Sequence, residues 1–568
     1  MNELDSELVT GQLRAMGYAM TPDREAADVV LYNTCSVREH AEQKVWSRLG
    51  EDRLRKLVRP ATVVGVIGCM AERDGADLIK RMPVVDVLCG PGELDKLPAL
   101  IDNAVRTRES LIGDAPHAEP PEFDDRGRIV LEDAEERRRL TSASLMALQG
   151  NTSRRSATLA AAQDSLEMLD LSRSVSPDEH AGSAYVRITR GCNKFCTYCV
   201  VPFTRGAEVH RPPEHIVDEC KRLADAGVLE ITLLGQTVNH YRFEHGAAVS
   251  VNGVVQPQKG RSYQGGHRRD PFAGERTTTF ADLLALIHEK VPAIRRLRFV
   301  TSYPRDFGDD VLEVIRDHPR ICRYLHVPAQ SGSNRILQAM NRGYTVEEYF
   351  EFLDRAREFL HQPEIGRPLT VAGDIIVGFP TETEDDFRAT ASLIERARYK
   401  NCFIFKYSPR PGTIAFDKLE DDVPEDVKRR RNNELLALQQ RVSAAVSAEF
   451  VGQTLDVFVQ GLSKKQAKRR PATPAGAAKG AVALTVGGRG VAVAGASCSS
   501  DASHVHDPES SHPPADADQS VQLTSRTDGD IIVLFDAPAG RTPDEMIGTI
   551  VPVRIERADA LALHGTVV

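Results

Sequence analysis

Residues 185–199 read YVRITRGCNKFCTYC, a β-branched apolar run opening onto a loop that carries Cys192, Cys196 and Cys199 within eight residues. Five more apolar runs follow, at 230–234, 297–301, 324–329, 370–379 and 402–407. Segments of helical period separate them, at 214–226, 280–291, 309–317, 334–340 with 346–360, and 384–397. Short apolar strands alternating with amphipathic helices require a parallel sheet covered by its own crossovers. Six such repeats match an incomplete (β/α)6 barrel better than an open sheet, although periodicity alone does not exclude the open form. Three thiolates on the loop after the first strand suit a 4Fe-4S cluster whose fourth iron has no protein ligand. Zinc is the alternative. It would take a fourth Cys or His, and the nearest is His210, across a loop.

The first hundred residues alternate in the same way. Helical periods at 4–16, 38–57, 72–81 and 93–105 separate apolar runs at 28–32 (DVVLY), 62–67 (TVVGVI) and 84–88, which predicts a parallel α/β sheet. Cys35 follows the first run in YNTCSVRE, and Cys69 follows the second in VIGCMAER. Residues just beyond the C-terminal ends of neighbouring parallel strands collect along one ligand-bearing edge, so these two thiols can meet.

Residues 114–182 break the rhythm with charge runs (EERRRL) and Ser/Ala/Thr stretches. They read as a quiet linker or insertion, with short helical patterns at SLMALQG and SLEMLDL. A polar, Gly-rich insertion occupies about 244–279, and 424–450 fits one long polar helix. The segments TLDVFVQ, VQLTSRT, DIIVLFD and GTIVPVRIERA predict a small antiparallel β-barrel. Within it, residues 471–519 hold no aromatic side chain and read as disordered. The divisions that follow are 1–113 (α/β domain), 114–182 (linker), 183–445 (barrel core) and 446–568 (small β-barrel).

Composition excludes some roles. Of 568 residues 41% are hydrophobic and 27% charged, and 72 basic against 81 acidic side chains give a net charge of -9. That balance excludes coating nucleic acid by bulk charge but leaves room for a local patch. Candidate residues are Lys464, Lys465, Lys468, Arg469, Arg470 and Arg526. No apolar run approaches the ~20 residues of a bilayer span, and the acidic, amphipathic N-terminus lacks a signal pattern. The expected setting is cytoplasmic, without a membrane. Ten cysteines in a reducing compartment point to metal or redox chemistry rather than disulfides.

The CxxxCxxC loop after the first strand of a six-repeat barrel resembles the radical S-adenosylmethionine (SAM) superfamily. The blocks NTCSVREHAEQKVWSRLG, GCNKFCTYCVVPFTRG, LLGQTVNHY, LHVPAQSGSNRILQAMNRGYT, DIIVGFPTETEDDF and FKYSPRPGT narrow the resemblance to the methylthiotransferases, and within them to the branch acting on tRNA. The likeness extends over nearly the whole chain. It implies an N-terminal domain with an auxiliary 4Fe-4S cluster on Cys35 and Cys69, and a SAM-binding 4Fe-4S cluster on Cys192, Cys196 and Cys199. It also implies a C-terminal RNA-binding TRAM barrel. Tyr198 would lie near the SAM adenine, a core tyrosine being the plain alternative. The implied cofactors are two 4Fe-4S clusters and SAM. The implied partners are a tRNA with an isopentenylated adenosine beside the anticodon, an external electron donor and an external sulfur donor, the chain acting as a monomer.

The implied reaction adds a methylthio group to carbon-2 of N6-isopentenyladenosine at tRNA position 37. Alternatives are a relative acting on threonylcarbamoyladenosine or on a ribosomal protein, or a tRNA-binding protein with one cluster and no sulfur insertion.

One departure stands out. In the family a third cysteine precedes a segment like QMNxxDSE, whereas this chain opens MNELDSE on a helix, with no leading strand and no such cysteine. The expectation is that Met1 is an internal methionine of a longer product or a misplaced start. Cys89 is a substitute ligand that matches no family position. Cys220, Cys322 and Cys402 read as core thiols, and Cys498 falls in the disordered insertion.

Overall fold

The computed structural model describes residues 1–36, 39–112, 141–148, 164–175, 182–260, 276–467, 481–486, 489–490 and 521–568. The N-terminal sheet contains the parallel strands Val29–Thr34, Val63–Gly68, Val87–Cys89 and Leu145–Ala147 in that spatial order. The first three of these strands are buried throughout, as near-continuous Val/Leu/Ile runs require when helices cover both faces. Helices Asn2–Ala15 and Leu97–Ile112 pack on one face, Glu39–Val58 and Cys69–Arg81 on the other. Asp86 lies at the heart of this domain. Its carboxylate accepts from Lys56 Nζ at 2.5 Å, Arg108 Nε at 2.8 Å and the backbone N–H groups of Val64 and Ala143.

Three sequence expectations change here. SLMALQG contributes the strand Leu145–Ala147 rather than a helix, because pairing with Val87–Cys89 outweighs its helical propensity. Nor is all of 471–519 disordered: Ala481–Val486 is a strand inserted parallel between Ala19–Met20 and Val29–Thr34. Val482, Ala483 and Leu484 are buried there. It pairs along Val29–Thr34, and Arg489–Gly490 turns back onto it. The other residues of 471–519 lie outside those described. Finally, the helix expected at SLEMLDL forms as Ser165–Leu171, N-capped by Asp164, but it is not part of a quiet linker. Its Glu167 and Asp170 are buried against arginines of the next domain.

The middle of the chain is the expected incomplete barrel. Ser183–Arg187, Glu230–Leu234 and Arg296–Phe299 form one parallel sheet, and Tyr324–His326, Thr370–Val377 and Asn401–Lys406 another. A parallel bridge between Leu297 and Ile321 links them. The crossover helices start where the sequence caps them: Thr279, Thr345 and Thr383 each close a capping box. Within the described part of the insertion after the second strand, Ser250–Val251 and Val254–Val255 form a short hairpin, and Gln258–Lys259 pairs antiparallel with Val209–His210. No described helix is long and apolar enough to cross a membrane.

A 24-residue helix, Glu425–Ala448, leads into a closed five-stranded barrel of Thr454–Leu462, Gln522–Arg526, Ile532–Asp536, Ala562–Val567 and Ile550–Ala558. Its hairpin at 527–530 plugs onto the N-terminal ends of the large barrel's strands. Arg298 donates to the carbonyls of Thr527 and Asp528, Arg296 to that of Arg526, and Thr370 Oγ1 to that of Gly529. Arg526, expected to face phosphate, is instead paired with Asp530 at 2.7 Å and bonded to Gln460.

Candidate functional site

Gly191 opens the cysteine loop at φ +67°, and a Cβ there would lie 2.1 Å from the Ala207 carbonyl oxygen, so only glycine fits. The loop is pinned from several sides. Arg190 forks onto Asp164 at 2.7 and 2.8 Å, Asn193 Nδ2 donates to Gly260 O, and the Glu208 N–H donates to Asn193 Oδ1. Thr197 donates to Met340 O and Ala339 O, and its own carbonyl accepts from Ala415 N. Lys194 pairs with Asp306 and lies over the Tyr303 ring.

Cys192 and Cys196 are buried, Cys199 half-buried. Burial, followed by Glu208, pushes the Cys192 thiol up. Burial, followed by the charge of Cys196, pushes Cys199 up to about 12. Cys192 and Cys199, so disfavoured as free thiolates in a sheltered loop, become stable thiolates only against a metal charge, which displaces their protons. That donor set fits a three-thiolate iron–sulfur cluster. Arg342 Nη1 stands 3.3 Å from Cys196 Sγ and 3.4 Å from the Tyr198 hydroxyl. Tyr198 also packs against the cluster of Ile336, Met340, Phe379 and Tyr407, so its core role and a place beside the loop coincide.

The second pair of thiols also meets. Gly68, at φ +90°, turns the chain out of its strand, and Cys69 opens the helix Cys69–Arg81. A hydrogen bond with Cys35, working against burial, draws the Cys69 thiol down to about 5, helped by the positive charge of Arg205 and by hydrogen bonds from Thr204 and Arg205. A low-pKa thiol at a helix N-terminus beside an arginine is a ready thiolate ligand. Thr204 and Arg205 come from the short helix that follows Cys199, and the charge of Cys69 in turn acts on Cys199. The two cysteine sites therefore adjoin. Arg205 also bonds Asp5 at 2.7 Å and Asn2 at 2.9 Å, while Arg187 joins Asp5 to Asp170, tying the first helix to the barrel.

Cys89 takes no part in this meeting. Its sulfur donates to the Glu93 carbonyl at 3.2 Å, and burial pushes its pKa up. Cys220, Cys322 and Cys402 are buried thiols as expected, and Cys498 lies outside the described residues.

Sequence reading missed Arg342, Arg205, the Lys194–Asp306 pair and a buried cluster of Glu208, His210 and His240. The ligand atoms of that last cluster lie within 4.8 Å of one another. His240 Nδ1 bonds Glu208 at 2.5 Å and Thr237 donates to the same carboxylate. Burial pushes His210 down to about 4, so it is neutral at pH 7. Of these, only His210 stood out in the sequence, as the nearest candidate for a fourth zinc ligand; it joins Glu208 and His240 instead.

The family described as the Radical SAM superfamily matches residues 186–394, and the uncharacterized protein family UPF0004 matches residues 1–90. The fold and the three-thiol loop thus define a radical-SAM protein with an added N-terminal domain. Proteins named tRNA-2-methylthio-N(6)-dimethylallyladenosine synthase are similar over most of the chain. That of Rhodopirellula baltica is 40% identical over 468 residues, 82% of this chain and 83% of its own. That of Christiangramia forsetii is 38% identical over 82% of this chain and 83% of its own. That of Bacteroides thetaiotaomicron is 38% identical over 82% and 84%. The chain belongs to the family of tRNA-2-methylthio-N(6)-dimethylallyladenosine synthases within the radical-SAM superfamily.

Proposed function

We propose that this protein adds a methylthio group to carbon-2 of the N6-dimethylallyl (isopentenyl) adenosine beside the anticodon of tRNA. In this reading Cys192, Cys196 and Cys199 hold a SAM-binding 4Fe-4S cluster, and Cys35 and Cys69 supply two thiolates to an auxiliary cluster. The observation that carries it is the adjacency of the two sites through Thr204 and Arg205.

Carbon-2 of adenine bears a C–H bond that acid–base groups activate poorly; cluster and SAM together supply the radical chemistry such a carbon needs. The protein's own residues provide placement and shelter. The loop contacts to Asp164, Gly260, Met340 and Ala415 fix the three thiols. Arg205 offsets the negative charge of Cys35 and Cys69. The C-terminal barrel is the RNA-binding part in this reading. Lys464 and Lys465, exposed after its first strand, are suited to phosphate in a salt-dependent way. Electrons and sulfur come from outside, and the chain acts as a monomer.

The second reading, a tRNA-binding protein with one cluster, is favoured by a single observation: among the described residues only two cysteines converge at the auxiliary site. Expression in a bacterial strain lacking the methylthio mark separates the readings. Nucleoside mass spectrometry should show 2-methylthio-N6-isopentenyladenosine restored by the natural chain. C35A/C69A should abolish the mark while SAM cleavage persists. Absence of the mark with the natural chain, at normal iron content, favours the second reading.

A further inference from the structure

We propose that Arg342 is a positioning residue that sets the reduction potential of the cluster on Cys192, Cys196 and Cys199, through an N–H···S hydrogen bond to Cys196. The inference rests on the reading of that loop as a cluster site. Arg342 follows the helix Asn334–Ala339 and reaches across the barrel mouth, 146 residues from Cys196 in sequence. Its side chain is held at every nitrogen. Nη1 faces Cys196 Sγ at 3.3 Å and Tyr198 Oη at 3.4 Å, Nη2 donates to Pro328 O at 3.2 Å, and Nε donates to Tyr344 Oη at 3.0 Å. The Tyr303 ring lies 4.6 Å and the Tyr344 ring 5.2 Å from the guanidinium carbon. The Tyr303 hydroxyl donates to the Arg342 carbonyl, fixing the main chain as well.

Arg342 is 5% exposed, and among the described residues no carboxylate bonds to it. A buried arginine needs a negative partner, or its desolvation goes unanswered. The groups bonded to its side chain are neutral phenols, a carbonyl and the Cys196 sulfur, so among them only that sulfur can supply charge. A cubane on three thiolates is net negative, and one-electron reduction adds a further unit. A fixed cation donating to its sulfur stabilises the reduced form more than the oxidised one. Hydrogen bonds to cluster sulfurs and nearby charge are established levers on the potential. The electron comes from an external low-potential donor, dithionite in the test below, and no protein bond forms or breaks.

The experiment is a mediated dithionite titration of the full chain, anaerobically reconstituted in a C35A/C69A background so that one cluster is observed, read by EPR with iron counted in each sample. R342M is expected to keep about four irons per chain. At a given potential its reduced-to-oxidised ratio should fall at least tenfold, which for one electron is a midpoint about 59 mV lower. R342K, which keeps the charge but loses the fork, should fall between. Y344F, which removes the Nε partner, should move the same way by less, and it decides the matter if R342M loses iron. Midpoints of all the loaded variants within a twofold ratio of the parent would overturn the role of Arg342. No iron cluster in the parent itself would instead sink the cluster reading, and this proposal with it.

Discussion

Glutamine at position 167 removes one charge from a buried clasp between the segment before the barrel and the barrel itself. Glu167 is 1% exposed and accepts from Arg211 Nε at 2.9 and 3.1 Å, with His215 Nδ1 at 3.0 Å. Arg211 is wholly buried and keeps Glu219 at 2.8 Å in the variant. Breaking a buried ion pair from one side costs about 3–5 kcal/mol, and the surviving partner puts E167Q at the lower end, about 3 kcal/mol.

Linkage gives a similar figure. Burial alone would raise the Glu167 carboxyl, but the charge of Arg211, aided by His215, outweighs it and holds the pKa at about 2. Against an unfolded value of about 4.3, at 1.36 kcal/mol per unit, that is again about 3 kcal/mol. A lowered carboxylate stabilises fully above the unfolded pKa, and the effect is lost as pH falls through the folded one. The difference between natural chain and E167Q should therefore be largest near pH 7 and narrow below about pH 4. Urea unfolding at a series of pH values measures it, and E167Q/R211M should recover part of the loss. A variant within about 0.5 kcal/mol of the natural chain at pH 7, the range of an ordinary surface change, would refute the clasp.

Asp530 meets Lys400, Arg526 and Arg298 at the junction of the two barrels. Burial would raise its carboxyl, but these cations hold it well below the usual range. Hydrogen exchange at 527–530 should therefore quicken in D530N at neutral pH, and in the natural chain only on strong acidification. V482D/L484D places two carboxylates at buried positions of the inserted strand. It should expose the Val29–Thr34 amides to exchange and lower the temperature of the first thermal transition; unchanged exchange there would mean that the strand does not pair. K464E/K465E should weaken tRNA binding several-fold and flatten its salt dependence by about one to two counterions in a filter-binding series, leaving SAM cleavage intact.

Much of the fold was legible because the residues that build it are local. The Glu230–Leu234 strand and the Asp309–Asp317 helix fall where the apolar period placed them, since that period is written within each segment. The meeting of Cys35 and Cys69 was legible because strand ends in a parallel sheet share an edge. Arg342 was not, because nothing near NRGYT shows that its turn folds over a loop 146 residues earlier. The strand AVALTV was hidden by composition: averaging over about fifty Ala/Gly/Ser/Pro residues submerges six that alternate well enough to pair. Arg526 misled because a basic residue between strands looks like a phosphate contact until Asp530 is seen across the hairpin.

The most direct test is 5′-deoxyadenosine release after dithionite reduction of anaerobically reconstituted protein with SAM. The natural chain should release it with iron bound, and C192A/C196A/C199A should release none. Zinc in place of iron, or an iron-loaded natural chain that never releases 5′-deoxyadenosine, would contradict a radical-generating site on these three cysteines.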